Sequence, residues 1–183
     1  MNDKELREVI ASGFKVTLSE ENSFRFCENP AYQRLSGLSL KEMDIGWWDT
    51  KNSRLILLEL KGIEIWQGFD RSKENAHAHL VKALKGKVSD VLLMLAAMWV
   101  ETDIGKLLRA SLPDHVHQYH GDGSLKFVFL IDTPASRKSL LLPVKDAINK
   151  ELAGRVRLFG VKHVTLVDFD IAQKMGLPIK RQA

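Results

Sequence analysis

The chain has 183 residues, of which 45% are hydrophobic and 27% charged, with a net charge of +4 and a pI of about 9.2. That length suits one domain with a sizeable core, and the composition is ordinary for a soluble globular protein. A single cysteine, Cys27, excludes an intrachain disulfide and a cysteine-rich zinc or iron–sulfur site, so its expected role is a small apolar one. The basic balance permits a polyanionic partner without demanding one. Charge from Asp3 onward predicts no signal peptide. The longest apolar run, 91–100, falls short of the roughly 20 residues a membrane span needs, and a cytoplasmic protein is expected.

Taken in order, Asn2 or Asp3 is placed to cap a first helix through residue 12, with Leu6, Val9 and Ile10 on its apolar face and Gly13 as its stop. Residues 14–18 and 23–27 read as short strands around a polar turn. Asn29-Pro30 breaks the pattern, and 31–40 is a connection with room for a short helix. Residues 43–62 read as a hairpin, after which Ile63, Ile65 and Trp66 either prolong its second strand or lead into a loop ending at Gly68. Two helices are expected at 72–84 and 89–99, broken by Gly86, the second apolar nearly all round and therefore buried against a sheet. A short helix at 104–111 precedes Pro113 and a loop to residue 124. Residues 125–132 form a strand. Helical periodicity then runs from Pro134 to Leu152, with Pro143 as a first helical position or a kink and Gly154 as the close. A last strand is expected at 161–169, and the tail from about 174 is expected to be frayed. There are no repeats and no linker, so one domain spans 1–183.

The chemistry-bearing stretch is the hairpin. Asp49, Thr50, Lys51, Asn52 and Ser53 supply turn residues. Ile45 and Trp47 alternate with Asp44, Gly46 and Trp48, and Leu55 to Leu58 form a continuous apolar run ending in Glu59-Leu60-Lys61. With the turn centred between Lys51 and Asn52, paired residue numbers add to 103, and Asp44 and Glu59 satisfy that sum. Directly opposed carboxylates, with Cβ atoms about 4.5–5.5 Å apart, repel each other. A hard divalent cation between them reverses the sign of that interaction. Alternation puts Lys61 one step further along the same face.

An acid, a gap, then Glu-x-Lys on a buried strand resembles the PD-(D/E)xK nuclease superfamily. Asp44 matches the first acid, Glu59 the second and Lys61 the lysine, while Met43 stands where the motif's name has proline. The resemblance implies an α/β restriction-endonuclease-like fold: a mixed sheet of about five strands flanked by helices on both faces. It implies Mg2+, with Mn2+ as substitute, held by Asp44, Glu59 and the Leu60 carbonyl, and Lys61 acting on the attacking water or on charge at phosphorus. Members often add a glutamate from the first helix, for which Glu8 is the choice here and Glu5 the reserve. Hydrolysis of DNA phosphodiesters follows, with a homodimer possible for a duplex cutter. A catalytically silent module of the same fold, binding DNA or a protein, is the alternative. A third reading is an unrelated α/β binding protein in which Glu-Leu-Lys is incidental.

Basic residues suggest where phosphates would be gripped: Lys73, Lys82, Lys85 and Lys87 after the motif, Arg137 and Lys138, and Arg155, Arg157 and Lys162. Each group reads equally as a solvated face. His115, His117 and His120 share a Pro/Gly-bounded stretch that reads as a polar loop before a zinc site. His77 and His79 point to different helix faces and cannot jointly chelate. Trp47, Trp48 and Trp66 read as core before base-stacking platforms.

Overall fold

The computed structural model describes residues 5–67 and 76–182. Its centre is a five-stranded mixed sheet of β3 (Ser23–Phe24), β4 (Ile45–Asp49), β5 (Arg54–Lys61), β6 (Leu125–Ile131) and β7 (Thr165–Val167), in that spatial order. The first three strands run antiparallel and the last three parallel. The β4–β5 hairpin has the expected register, with Asp49 opposite Arg54 and Ile45 opposite Leu58. Its turn is closed by the Asp49 carboxylate, which accepts from the Asn52 backbone and side chain, while Ser53 takes a left-handed φ of 48°.

Strand β5 is buried from Leu55 to Leu60, and alternation divides it between two cores. Leu55 and Leu57 face the first, with Phe127, Phe129 and Ile131 of β6. Ile56, Leu58 and Leu60 face the second, with Val128 and Leu130. The first face is covered by helices. Among them α1 (Pro30–Ser36) is capped by Asn29, and α2 (Ala76–Trp99) packs on α4 (Leu141–Arg157). Buried Leu80, Leu84, Val88, Val91, Leu95 and Met98 recur every three or four residues along α2, which is why it is one helix. The expected break at Gly86 does not occur: a mid-helix glycine costs about 1 kcal/mol relative to alanine, less than this stripe returns on burial. Its apolar second half is buried as expected except on the side of Leu93, which is 64% exposed. A shorter α3 (Asp103–Arg109) follows. Pro143 lies in the first turn of α4, where its missing N–H costs nothing, and the helix continues through Gly154 to Arg157.

The second face differs from the expectation of helices on both sides. It is covered by a three-stranded antiparallel sheet of β1 (Leu6–Ala11), β2 (Phe14–Ser19) and β8 (Ile179–Arg181), together with the short α5 (Phe169–Lys174). The expected first helix is therefore strand β1. Leu6 and Ile10, which suggested a helical stripe, are 63% and 57% exposed, whereas Val9 is buried. Ser12 and Gly13 form a two-residue hairpin turn with φ of 52° and 78°, the geometry such turns require. Two further expectations are corrected at the C-terminal end. The strand at 161–169 is only Thr165–Val167, because Asp168 caps α5 through the Ile171 N–H. The frayed tail contains β8, which pairs with β2 through Val16 and Ile179. No helix among the described residues is long and apolar enough to cross a membrane.

Candidate functional site

Asp44 lies one residue before β4, at the position that continues the register to Glu59. On β4, Trp48 faces the helical core while Ile45 and Trp47 face the other, so alternation puts Asp44 and Glu59 on the helical side of the sheet. Their carboxylates are held differently. Asp44 Oδ2 accepts from the Leu60 N–H at 2.6 Å, and the Asp44 carbonyl accepts from Arg25 Nε at 3.0 Å. Glu59 is fully buried. Two lysines reach it: Lys61 Nζ is 2.7 Å from Oε1, and Lys87 Nζ, from α2, is 2.6 Å from Oε1 and 2.7 Å from Oε2. Oε1 is thus held between two ammonium groups at ion-pair distance.

Burial is the largest influence on the Glu59 carboxyl and pushes its pKa up; the Asp44 charge pushes the same way, and Lys87 and Lys61 only partly offset them. Glu42, whose Oε2 accepts from the Cys27 N–H at 2.5 Å, is likewise raised by burial, with Arg25 and Lys87 among the influences lowering it. Carboxylates and cations thus share one electrostatic neighbourhood at the open end of the hairpin. Perturbed acids with named charge partners are a mark of functional sites, although structural ion pairs produce them too.

The other sequence-derived candidates are dispersed. Glu8 is on the exposed side of β1 and pairs with Lys15 at 2.5 Å; the helix that was to present it is absent, so it does not join the cluster. Of the basic stripe, Lys82 is exposed, Lys85 pairs with Glu151 at 2.8 Å, and Lys87 turns inward to Glu59. Lys73 and the side chains of His77 and His79 lie outside what the structure describes. Arg137 and Lys138 precede α4, and Lys138 is engaged by Asp168 and Asp170. Trp47, Trp48 and Trp66 are all buried, and the Trp66 indole donates to the Asp132 carbonyl at 2.8 Å. His115 and His120 pack on the Trp48 ring at 5.5 and 4.6 Å between centroids, which makes them its cover rather than a chelate. Cys27 is half-buried against the helical core, and burial raises its thiol pKa. The residues that sequence reasoning misplaced or missed are Lys87 and Glu42. The only sequence signal for Lys87 is its helical spacing from the buried Leu84 and Val91, and Glu42 carries none beyond being next to Met43.

The donor types suit a hard cation: two carboxylates and the Leu60 carbonyl. Each is already engaged, since Ser12 Oγ donates to the Leu60 carbonyl at 3.1 Å and the lysines hold Glu59. Among the described residues no three His, Cys, Asp or Glu side chains converge on one point. Neither the small cavity beside Trp48 nor the cleft beside Arg54 includes Asp44, Glu59 or Lys61. An ion at this place would have to compete with the Lys61 and Lys87 ammonium groups for Glu59. In comparisons with family models, curated proteins and solved structures, the chain finds no significant match of any of the three kinds.

Proposed function

We propose that this chain is a metal-dependent nuclease of restriction-endonuclease-like fold that hydrolyses DNA phosphodiester bonds at Asp44, Glu59 and Lys61. The observation that carries this reading is the pairing of two acids across one hairpin, on one sheet face, with Lys61 two residues beyond the second acid. A five-stranded mixed sheet beneath it is compatible with the fold that the motif implies. The residues to hold Mg2+ or Mn2+ are Asp44, Glu59 and the Leu60 carbonyl. A cation there would supply Lewis-acid polarisation of a phosphate oxygen and a lowered pKa for a bound water. The chain's own part is to hold Glu59 out of bulk solvent, to fix Asp44 through the Leu60 N–H, and to present Lys61 as a positive charge for the oxygen anion developing at phosphorus. Lys61 is 29% exposed, so its ammonium can exchange Glu59 for a phosphate oxygen without leaving the site.

A second reading rests on an observation of its own. Both Glu59 oxygens lie within ion-pair distance of lysine ammonium groups, as in a structural buried pair that ties α2 to β5 in a catalytically silent module. Cleavage of supercoiled plasmid in Mg2+ and in Mn2+ by wild type and Lys61→Ala separates the two. The nuclease reading expects a loss of about 10²–10³ in turnover, as for removal of one oxyanion donor, with binding nearly unchanged. It also expects millimolar Mg2+ or Mn2+ to raise the melting temperature of wild type and not of Asp44→Asn. Absence of cleavage by wild type, with a melt that ignores both ions, overturns it in favour of the silent module.

A further inference from the structure

At the end of β5 remote from Glu59, and on the other face of the sheet, the covering layer stops short. The small sheet and α5 pack on Ile56, Leu58, Leu60, Val128, Leu130 and Val167. The preceding same-face residues, Arg54, Lys126 and Thr165, are only half-buried and line an open cleft of about 940 Å³. The rest of the lining includes the end of α4 and the segment after it, which contribute Arg157, Lys162 and His163, all exposed. Among the described residues four cationic side chains therefore line a cleft that holds one carboxylate, Asp122.

Three of these cations are not used up by the fold. Arg54 gives its Nε to Asp49 at 3.2 Å, but among the described residues Lys126, Arg157 and Lys162 make no ion pair. The Lys126 ammonium is held below its ordinary pKa, first by burial and then by Arg54, against the pull of Asp49. A like-charged cluster kept partly out of water is relieved by an anion. Guanidinium forks at Arg54 and Arg157 favour phosphate, whose oxygens they meet in pairs. Among the described residues no Trp, Tyr or Phe lines the cleft, so they offer no platform on which a base could stack. An open, cationic surface without a stacking platform fits a run of backbone phosphates better than an enclosed nucleotide.

We propose that this cleft is a phosphate-binding site that seats the backbone of a nucleic acid, separate from the Asp44–Glu59–Lys61 cluster and independent of any reaction there. Arg54 and Glu59 are five residues apart on one strand, about 16 Å at strand rise, so the two sites can be perturbed separately.

The experiment is fluorescence anisotropy with a labelled 20-base-pair duplex in EDTA, which removes any metal-dependent step, over a series of salt concentrations. The test variant is Arg157→Gln/Lys162→Gln. The control is Lys106→Gln/Lys150→Gln, two exposed lysines outside the cleft lining with the same change of net charge. Each phosphate contact contributes about 0.9 to the slope of log affinity against log salt. The test variant is expected to flatten the slope by about 1.8 and to weaken binding about tenfold or more at 50 mM salt, with an unchanged melting temperature. The control is expected to flatten it by less than half as much. Equal effects in the two variants, or an unchanged slope in the test variant, overturn the proposal. Displacement of the duplex by tripolyphosphate at equal phosphate concentration points to a free-phosphate ligand, and displacement by polyglutamate at equal charge points to an acidic peptide; either result also overturns it. Because the assay contains no divalent metal, loss of the nuclease reading leaves its outcome unaffected.

Discussion

Replacing Lys87 by Met keeps most of the apolar stem but removes the ammonium that touches both Glu59 oxygens, leaving Lys61 as the one cation in contact among the described residues. Deleting one partner of a buried pair typically costs about 3–5 kcal/mol. Here the cost has a ceiling, because Glu59 can escape by taking up a proton. In the unfolded chain that carboxyl titrates near its ordinary value of 4.5. Holding it protonated at pH 7 costs about 2.5 pH units at about 1.36 kcal/mol each, so the ceiling is about 3.4 kcal/mol, less whatever strain wild type already carries. The sign follows from the raised pKa: stability linked to Glu59 is fully present below about pH 4.5 and is lost as pH rises through the higher folded value. Lys87→Met should therefore cost little at pH 4.5 and about 2–3 kcal/mol at pH 7. Urea denaturation at both pH values reads this directly. In a Glu59→Gln background the same substitution should cost under about 1 kcal/mol, because the buried charge is gone. A loss that is constant with pH, or that persists undiminished in the double variant, would assign the effect to packing and refute the electrostatic account.

Two further substitutions test how the helical layer is fixed around the site. Asn29, 1% exposed, accepts from Ala31 N and Tyr32 N at the start of α1, and its Nδ2 donates to the Leu108 carbonyl at 2.8 Å and to Ser111 Oγ. Asn29→Ala removes a cap worth about 1 kcal/mol and leaves a buried carbonyl unpaired at about 1–3 kcal/mol, so chemical denaturation should show a loss of about 2–4 kcal/mol; a loss under about 1 kcal/mol would mean that water replaces the side chain. Gly105 sits where an added Cβ would collide with the Ala97 carbonyl at the end of α2. Alanine is the better helix former by about 1 kcal/mol, but a backbone clash cannot be relieved by a rotamer change, so Gly105→Ala should lower stability by about 1–3 kcal/mol; a rise in melting temperature would show that α3 is free to move away.

The strands that carry the motif were the most legible part of the chain. Turn residues at 49–53 and an unbroken apolar run at 55–58 leave few alternatives, and the register they imply is the one observed. Strand β6 was equally plain, since Phe127 to Ile131 are all buried. Errors came where an exposed apolar residue imitated a period, as with Leu6 and Ile10 on β1, or where tertiary packing overrode a local breaker, as at Gly86 and Gly154. The small sheet escaped notice because β8 lies at the far end of the chain from β1 and β2, and only three pairs define its register. At the site, Asp44, Glu59 and Lys61 could be read because a hairpin fixes their relative positions locally. Lys87 could not, because 28 residues separate it from Glu59 in sequence and the path between them passes outside the described residues.

The place of Glu59 in the strand bears on both functional readings. Its neighbours Leu57, Leu58 and Leu60 are buried and apolar, so leucine at this position would continue the run. Replacing a buried ion pair by packed apolar side chains is often neutral or stabilising. The raised pKa says that, in this setting, burial and Asp44 together outweigh the two lysines, so the charged form is held less favourably than in water. Stability alone therefore gives no reason for a carboxylate here. A role in pinning α2 against β5 would explain Lys87 and Glu59, but it needs neither Asp44 nor Lys61. A hydrolytic role would use all three residues on the hairpin, with Lys87 neutralising Glu59 in the absence of a ligand. Lys87 is 22% exposed and Lys61 29%, while Glu59 is closed to solvent. Lys61 and Lys87 thus carry the solvent-facing part of the cluster, and a ligand for Glu59 would compete with their ammonium groups.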